Sequence, residues 1–150
     1  MLLLHIGKPF NLRKEILGKK MRGKGSSSSK ISTLIVDDDP LTRRIHKVLL
    51  TKVGLETQAV ENGKEAVDLY RSGASFDLIL MDLEMPIMDG PKATKELRAM
   101  GVQSMIVGVT ARDLEVEKQM FMASGLDDCY VKPLTTDTVT ALVEKLNKDN

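Results

Sequence analysis

LILMDLEMPIMDG, the segment from Leu78 to Gly90, begins as an apolar run and then sets Asp82 among small or turn-forming residues. A short continuous apolar run bounded by turn residues is consistent with a strand buried inside a parallel sheet. A carboxylate does not belong inside such a strand, because an isolated buried charge is costly. Asp82 at the end of the run is therefore the first candidate for a functional residue.

Short apolar runs alternate with segments of helical periodicity along the chain beyond residue 30. The predicted strands are ISTLIV (31–36), LETQAV (55–60), FDLILM (76–81), SMIVGV (104–109) and CYV (129–131). The predicted helices span residues 40–53, 63–73, 91–101, 113–125 and 135–148. This alternation predicts βα units around a parallel sheet, and therefore a doubly wound α/β domain.

Residues at the helix ends and faces support this count. Four glycines are predicted to close helices: Gly54, Gly73, Gly101 and Gly125. Asn62-Gly63 and Asp113 are predicted to mark helix starts. The predicted apolar faces are Ile45, Leu49 and Val53 in the first helix, and Val139, Val143 and Leu146 in the last.

The charge of the chain divides it into two parts. Residues 1–30 hold eight Lys or Arg and one acidic residue, which leaves fourteen basic and twenty acidic residues in 31–150. We interpret 1–30 as a flexible basic arm and 31–150 as the folded domain. Nucleic acid is not an expected partner, because no aromatic residues interleave the basic ones. A monomer is expected.

Several classes of protein are disfavoured by the composition. The single cysteine, Cys129, excludes an intramolecular disulfide framework. No apolar stretch approaches the roughly 18–20 residues of a membrane span, and the start MLLLHIG lacks the features of a signal peptide. We therefore expect a cytoplasmic protein without membrane partners, with the nucleus as an additional location.

The strand ends deliver a set of residues suited to phosphoryl chemistry. Ligands of open parallel α/β sheets bind outside the carboxyl ends of the strands, where this chain places Asp37 to Asp39, Asp82, Thr110 and Lys132. Clustered carboxylates require a compensating cation, and Mg²⁺ is the simplest one that binds carboxylate and carbonyl oxygens. Together with the Lys132 ammonium, it would attract a phosphoryl group to Asp82.

The same residues carry a resemblance to a known family. VDDD (36–39), MDLEMPIMDG (81–90), VTAR (109–112) and VKPL (131–134) occur in the order and at the strand ends found in receiver domains of two-component response regulators. The sequence around Asp82 also resembles plant receivers of cytokinin-type phosphorelays, in particular the short stand-alone members. The resemblance implies the flavodoxin-like strand order 2-1-3-4-5.

The resemblance implies a role for each matching residue. Asp82 would be the phosphoacceptor, charged from the phosphohistidine of a histidine phosphotransfer protein. Asp37, Asp38, Asp82 and the backbone carbonyl of Glu84 would hold Mg²⁺. Thr110 and Lys132 would contact the phosphoryl oxygens, and the Lys132-Pro133 bond would be cis. Asp39 would start a helix without binding the metal.

Three positions are expected to modulate this chemistry. In the family, residues at the positions of Glu84 and Arg112 influence how water approaches the aspartyl phosphate. They would either pair across the site, or Glu84 would orient the attacking water. Many receivers have an aromatic switch residue at the position of Cys129, so this chain lacks the residue that the usual signalling route employs. Tyr130 is predicted on the opposite face of its strand.

The leading hypothesis is a phosphate sink in a His-Asp phosphorelay, in which Asp82 accepts the phosphoryl group and releases it to water. A conformational switch that binds an effector is the alternative. The resemblance implies self-phosphotransfer and autodephosphorylation, and leaves open a phosphohistidine phosphatase activity on the partner. A Mg²⁺-dependent aspartyl-phosphate phosphatase is disfavoured, because its nucleophile would lie on the first strand. His5 and His46 are interpreted as solvated or packed histidines and not as phosphohistidines.

Overall fold

The computed structural model describes residues 30–149, which form a five-stranded parallel sheet with helices on both faces. The strands are β1 (Ser32–Val36), β2 (Glu56–Val60), β3 (Leu78–Asp82), β4 (Met105–Thr110) and β5 (Asp128–Val131). The helices are α1 (Pro40–Lys52), α2 (Gly63–Arg71), α3 (Gly90–Ala99), α4 (Glu115–Ala123) and α5 (Thr136–Lys148). The sheet order is β2-β1-β3-β4-β5, which confirms the predicted fold. The predicted arm, except for Lys30, and His5 lie outside the described residues.

Strand β3 forms the centre of the sheet, which explains its continuous apolar sequence. All five of its residues are buried. Ile79 and Met81 pack with residues of α2, α3 and α4 on one face of the sheet, whereas Leu78 and Leu80 pack with residues of α1 and α5 on the other face. Successive side chains of a strand point to opposite faces, so β3 contributes residues to the core on each face of the sheet.

The predicted helix ends are mostly confirmed. The four predicted glycines, Gly54, Gly73, Gly101 and Gly125, all have positive φ angles, between 85° and 121°. The Asn62 side chain caps α2 by accepting a hydrogen bond from the Glu65 backbone NH. The prediction for Asp113 was wrong: extended Leu114 precedes the first turn of α4, and the Asp113 carboxylate instead pairs with Lys118.

The prediction of which face of α1 is buried was wrong in part. Leu49 and Val53 pack against the core, but Ile45 is exposed, and the fully buried residues of the helix are His46 and Leu50. Apolar residues occur around much of this helix, so the sequence does not reveal which edge of the stripe faces the sheet. In α5 the prediction is confirmed, because Val139 and Leu146 are buried and Val143 packs beside them.

Gly90 allows α3 to begin close to the end of β3. Its backbone NH donates to the Leu83 carbonyl at 2.9 Å. A Cβ atom at this position would lie 2.2 Å from the Asp82 carbonyl oxygen and 2.7 Å from a ring atom of Phe121. No side chain fits there, so the glycine that ends the segment LILMDLEMPIMDG fixes the loop that follows Asp82.

Ile87, in the same loop, has a φ angle of 69° and is largely exposed. A β-branched side chain is strained in this left-handed region, at a cost of about 1–2 kcal/mol. Ile87→Asn is therefore expected to raise the free energy of unfolding by about 1 kcal/mol, because asparagine tolerates this conformation. Urea unfolding measures the change, and unaltered or lowered stability would contradict the expectation.

Candidate functional site

Three carboxylates meet at the carboxyl edge of the sheet, as the sequence predicts. Asp37 and Asp38 follow β1, and Asp82 ends the neighbouring strand β3. One carboxylate oxygen from each residue lies within 4.8 Å of the other two. Asp37 and Asp82 are only 2% and 5% exposed, whereas Asp38 is exposed. The cluster is therefore buried at Asp37 and Asp82 and open to solvent at Asp38.

Within the described part of the chain, Lys132 is the only cationic residue that contacts both buried carboxylates. Its ammonium lies 2.8 Å from Asp37 Oδ2 and 2.9 Å from Asp82 Oδ1. The side chain reaches these atoms from the end of β5, two strands away from β3. The Lys132 backbone NH donates to the Thr110 carbonyl at 2.7 Å, and the following bond to Pro133 is cis, as predicted.

The pKa values at the site follow from burial and charge. Burial raises the pKa of Asp82 to about 6; the hydrogen bond from Lys132 opposes this rise and the negative Asp37 reinforces it. Burial alone would lower the pKa of Lys132, but its hydrogen bonds to Asp37 and Asp82 outweigh this effect and raise it. The lysine therefore stays charged. Asp82 ionises only as the pH rises through its pKa of about 6.

The donor set fits a divalent hard cation. Three carboxylates and one ammonium leave two negative charges uncompensated when all are ionised, and the grouped oxygens are of the kind that Mg²⁺ prefers. Asp37 Oδ1 already accepts the backbone NH of Asp39 at 2.9 Å, which orients the carboxylate. The Asp39 side chain itself caps α1 through the Thr42 backbone NH, which confirms its predicted role at the helix start.

Two contacts at the site involve residues that the sequence reasoning missed. Arg43, on the first turn of α1, donates from Nη1 to the carbonyl oxygen of Asp37 at 2.8 Å and so fixes the turn after β1. Glu117, on α4, lies 3.1 Å from Arg112 Nη2. Both contacts depend on how a long side chain crosses between elements, and no local sequence pattern signals them.

The Thr110 hydroxyl is held by the backbone that follows it. It donates to the Arg112 carbonyl oxygen and accepts from the Arg112 backbone NH, both at 3.2 Å. Thr110 is 1% exposed and ends β4, the strand beside β3. To donate to a phosphoryl oxygen, its hydroxyl would have to give up the hydrogen bond to the Arg112 carbonyl, while it keeps the one that it accepts from the Arg112 NH.

Glu84 and Arg112 pair with each other, which is the first of the two arrangements considered from the sequence. Arg112 Nη2 donates to Glu84 Oε1, and the same nitrogen contacts Glu117 Oε1. Both Glu84 and Arg112 are exposed. The guanidinium thus links the loop after Asp82 with α4.

Cys129 and Tyr130 lie on opposite faces of β5, as predicted. Cys129 packs at the edge of the core beneath α2, α3 and α4, whereas Tyr130 packs on the α1 and α5 side. The Tyr130 hydroxyl donates to Asp128 Oδ2 at 2.8 Å. Burial raises the pKa of the Cys129 thiol, which keeps it protonated at neutral pH. On this face β5 therefore presents a thiol, opposite Gly108 of β4, where many receivers have an aromatic residue.

His46 is 2% exposed on the inner face of α1, which supports its interpretation as a packed histidine. Burial lowers its pKa, although the negative charge of Asp37 opposes this effect. A buried, neutral imidazole is poorly placed to exchange a phosphoryl group with another protein.

The doubly wound sheet, with its charged site at the carboxyl ends of the strands, defines an α/β domain of the receiver class. Residues 33–144 match the model of the response regulator receiver domain, and the chain belongs to this family. None of the helices in residues 30–149 combines the length and apolar character of a membrane span.

Known proteins similar to this chain agree with the family assignment. Two-component response regulator 24 of Arabidopsis thaliana is 50% identical over 121 residues, which cover 81% of this chain and 87% of the relative. The receiver domain of a Pseudomonas aeruginosa sensor histidine kinase, solved with magnesium coordinated in its active site cleft, is 25% identical, with a TM-score of 0.70 over 79% of this chain and 98% of its own. A chain in the co-crystal structure of the Saccharomyces cerevisiae phosphotransfer protein Ypd1 with the receiver domain of Ssk1 is 29% identical, with a TM-score of 0.67 over 79% and 88%.

Proposed function

We propose that this receiver domain is a phosphoacceptor that takes a phosphoryl group from a histidine phosphotransfer protein onto Asp82 and releases it to water. The observation that carries the proposal is the contact of Lys132 with both Asp37 and Asp82 inside the three-carboxylate cluster. A lysine that bridges two buried carboxylates holds positive charge where a phosphoryl group would arrive. The similarity to a chain from a complex with a phosphotransfer protein supports the choice of donor class.

The proposed reaction has two steps. An Asp82 carboxylate oxygen attacks phosphorus, the P–N bond to the donor histidine breaks, and the imidazole regains a proton. In the second step a water oxygen attacks phosphorus and the P–O bond to Asp82 breaks, which restores the carboxylate and yields inorganic phosphate after loss of a proton from the water. Lys132 stabilises the charge on the phosphoryl oxygens in both steps, and the Thr110 hydroxyl donates to one of them.

We propose Mg²⁺ as the cofactor of this site, held by Asp37, Asp38, Asp82 and the backbone carbonyl of Glu84. The spacing of the three carboxylates and the magnesium ion in the similar Pseudomonas domain support this assignment. When bound, the ion would neutralise charge on the transferring phosphoryl group. Asp37 and Asp82 would then share their negative charge between the ion and Lys132.

The release to water distinguishes a phosphate sink from a conformational switch. The small side chain of Cys129 supports the sink, because β5 carries a thiol and not an aromatic ring at the position that many receivers use to couple the threonine to the outer face of this strand. The switch, which would bind an effector for as long as Asp82 stays phosphorylated, is the second candidate. Phosphohistidine phosphatase activity on the donor would follow from the sink, since each transfer and hydrolysis empties the donor.

We also propose residues 31–150 as the phosphoaccepting unit and residues 1–30 as a separate basic arm. The start of β1 at Ser32 and the family match from residue 33 support this boundary. A monomer in the cytoplasm, with the nucleus as an additional location, remains our prediction for the working state.

Transfer from a radiolabelled histidine phosphotransfer protein tests the proposed function. The protein is incubated with the labelled donor and Mg²⁺, and label is followed on both proteins and in free phosphate. Rapid loss of label from the donor into free phosphate, with little label remaining on this protein, is the expected result. A donor that keeps its label would overturn the proposal, and label that persists on Asp82 would favour the switch.

Asp38→Ala is expected to weaken Mg²⁺ binding and phosphotransfer together. Asp38 is exposed, so the variant should fold normally, but the cluster would lose one of its three carboxylates. The midpoint of the Mg²⁺ dependence of labelling should rise by about tenfold or more, because even the loss of a group that only supports a metal ligand weakens metal affinity by about 10- to 100-fold. The control is Asp68→Ala, which removes an exposed carboxylate on α2 that is not part of the cluster. Labelling of Asp38→Ala at the normal rate in trace Mg²⁺ would contradict the ligand assignment.

A further inference from the structure

Arg112 is shared by two carboxylates through a single nitrogen. Its Nη2 contacts Glu84 Oε1, in the loop after Asp82, and Glu117 Oε1, on α4, the latter at 3.1 Å. The Arg112 backbone is also bound through both its NH and its carbonyl to the Thr110 hydroxyl. The guanidinium is therefore carried by a residue whose backbone is bonded to Thr110, at the edge of the phosphorylation site.

The two carboxylates that contact Arg112 differ in their exposure to solvent. The Glu84 side chain is 70% exposed, so water screens its charge, whereas the Glu117 side chain is 27% exposed. Glu117 Oε2 is buried and finds no hydrogen-bond partner within the described part of the chain. A partly desolvated carboxylate without another partner depends on its ion pair more than an exposed one does. Separation from Arg112 would therefore cost Glu117 more than it would cost Glu84.

A phosphoryl group on Asp82 would disturb this arrangement unequally. It replaces the single charge of the Asp82 carboxylate with about two negative charges on the phosphoryl oxygens, a gain of about one, and so repels the Glu84 carboxylate two residues further along the chain. The same charges attract the Arg112 guanidinium. Glu117 lies on a separate element, so it remains the group that competes with the phosphoryl group for Arg112.

We propose that Glu117 is a positioning residue that holds Arg112 aside from the phosphorylated Asp82 and so keeps hydrolysis of the aspartyl phosphate fast. An arginine that turned onto the phosphoryl oxygens would stabilise the phosphorylated state and obstruct the approaching water. Glu117 prevents this by retaining the guanidinium at α4. This inference rests on the proposed function, because it concerns the lifetime of a phosphoryl group on Asp82.

The test is a double-mutant cycle on the rate of dephosphorylation. Asp82 is phosphorylated with phosphoramidate and Mg²⁺, the donor is removed, and the phosphorylated fraction is followed over time on phosphate-affinity gels. Glu117→Gln is expected to slow hydrolysis by about twofold to fivefold, the size of effect expected when one partly exposed ion pair no longer competes. In an Arg112→Ala background the same substitution is expected to have no effect, because Glu117 acts only through Arg112.

Glu115→Gln is the matched control. It removes one negative charge from the same first turn of α4, and the contact described for the Glu115 carboxylate is with Gln119 on its own helix. It therefore reports any effect of charge at the helix start, and its hydrolysis rate should equal that of the unmodified protein. Thermal unfolding of each variant identifies changes that come from lost stability.

The outcomes separate this inference from the proposed function. A hydrolysis rate of Glu117→Gln equal to or faster than that of Glu115→Gln would overturn the inference, and so would a slowing that persists in the Arg112→Ala background. If the unmodified protein takes no phosphoryl group from either phosphoramidate or a phosphotransfer protein, the proposed function itself fails.

Discussion

Asp82→Asn is expected to abolish phosphorylation and, at pH 7 without divalent cations, to raise the free energy of unfolding by about 1–3 kcal/mol. The carboxylate is 5% exposed and lies within one cluster with Asp37 and Asp38. Asparagine has nearly the same shape, carries no charge, and keeps an oxygen that accepts from Lys132. The substitution therefore removes an unfavourable charge and the nucleophile together.

The gain in stability should depend on pH in a defined direction. Burial raises the pKa of Asp82 to about 6 in the folded state, well above its ordinary value of 3.8. The folded protein then binds the proton more tightly than the unfolded chain does, so stability falls as the pH rises between about 4 and 6. Asp82→Asn has no titrating group at this position. Its free energy of unfolding should therefore exceed that of the unmodified protein only slightly near pH 4, and by the full amount above about pH 7.

Urea unfolding at a series of pH values in a metal chelator measures this difference. Asp68→Asn, which removes a carboxylate from an exposed pair with Lys64, is the control and should change stability by less than about 1 kcal/mol. Added Mg²⁺ should stabilise the unmodified protein more than Asp82→Asn. A variant that is less stable than the unmodified protein at pH 7 without metal, or one that still takes label, would contradict the assignment of Asp82.

The residues that the sequence predicts correctly are those whose position follows from strand ends alone. Asp37, Asp82 and Lys132 each follow or end a strand, and parallel strands bring their carboxyl ends to one edge. Their contacts depend on topology and little on side-chain detail, so the apolar runs were sufficient together with the strand order that the family resemblance implies. The glycines at helix ends were equally predictable, because positive φ angles strongly favour glycine.

The predictions that failed depend on packing choices that a local pattern does not contain. Ile45 belongs to a wide apolar stripe on α1, and only the seating of the helix on the sheet decides that His46 and Leu50 are buried in its place. Asp113 has the chemistry of a helix cap, but its carboxylate pairs with Lys118. The Arg112–Glu117 contact crosses between two elements, and nothing in the sequence indicates which of several acidic residues the arginine meets.

Lys132→Met is expected to lower the free energy of unfolding by about 2–4 kcal/mol at pH 7 without metal, since removal of one member of a buried ionic group leaves the other charges uncompensated. Lys132 is the only cation in contact with both Asp37 and Asp82 within the described residues. Methionine preserves the length of the apolar stem and removes only the ammonium. Phosphotransfer should fall by about a hundredfold or more, because the phosphoryl oxygens lose a positioned positive charge.

Two further measurements distinguish loss of charge from loss of packing in Lys132→Met. The destabilisation should shrink as the pH falls toward 5, because protonation of Asp82, whose pKa is already raised to about 6, removes the repulsion that the lysine had balanced. Added Mg²⁺ should restore more stability to the variant than to the unmodified protein, since the ion supplies positive charge to the same oxygens. Lys64→Met, which breaks an exposed pair on α2, should show neither effect. If the loss of stability is the same at pH 5 and pH 7 and does not change with Mg²⁺, Lys132 acts through packing. If the variant is labelled at the normal rate, Lys132 has no role in the proposed reaction.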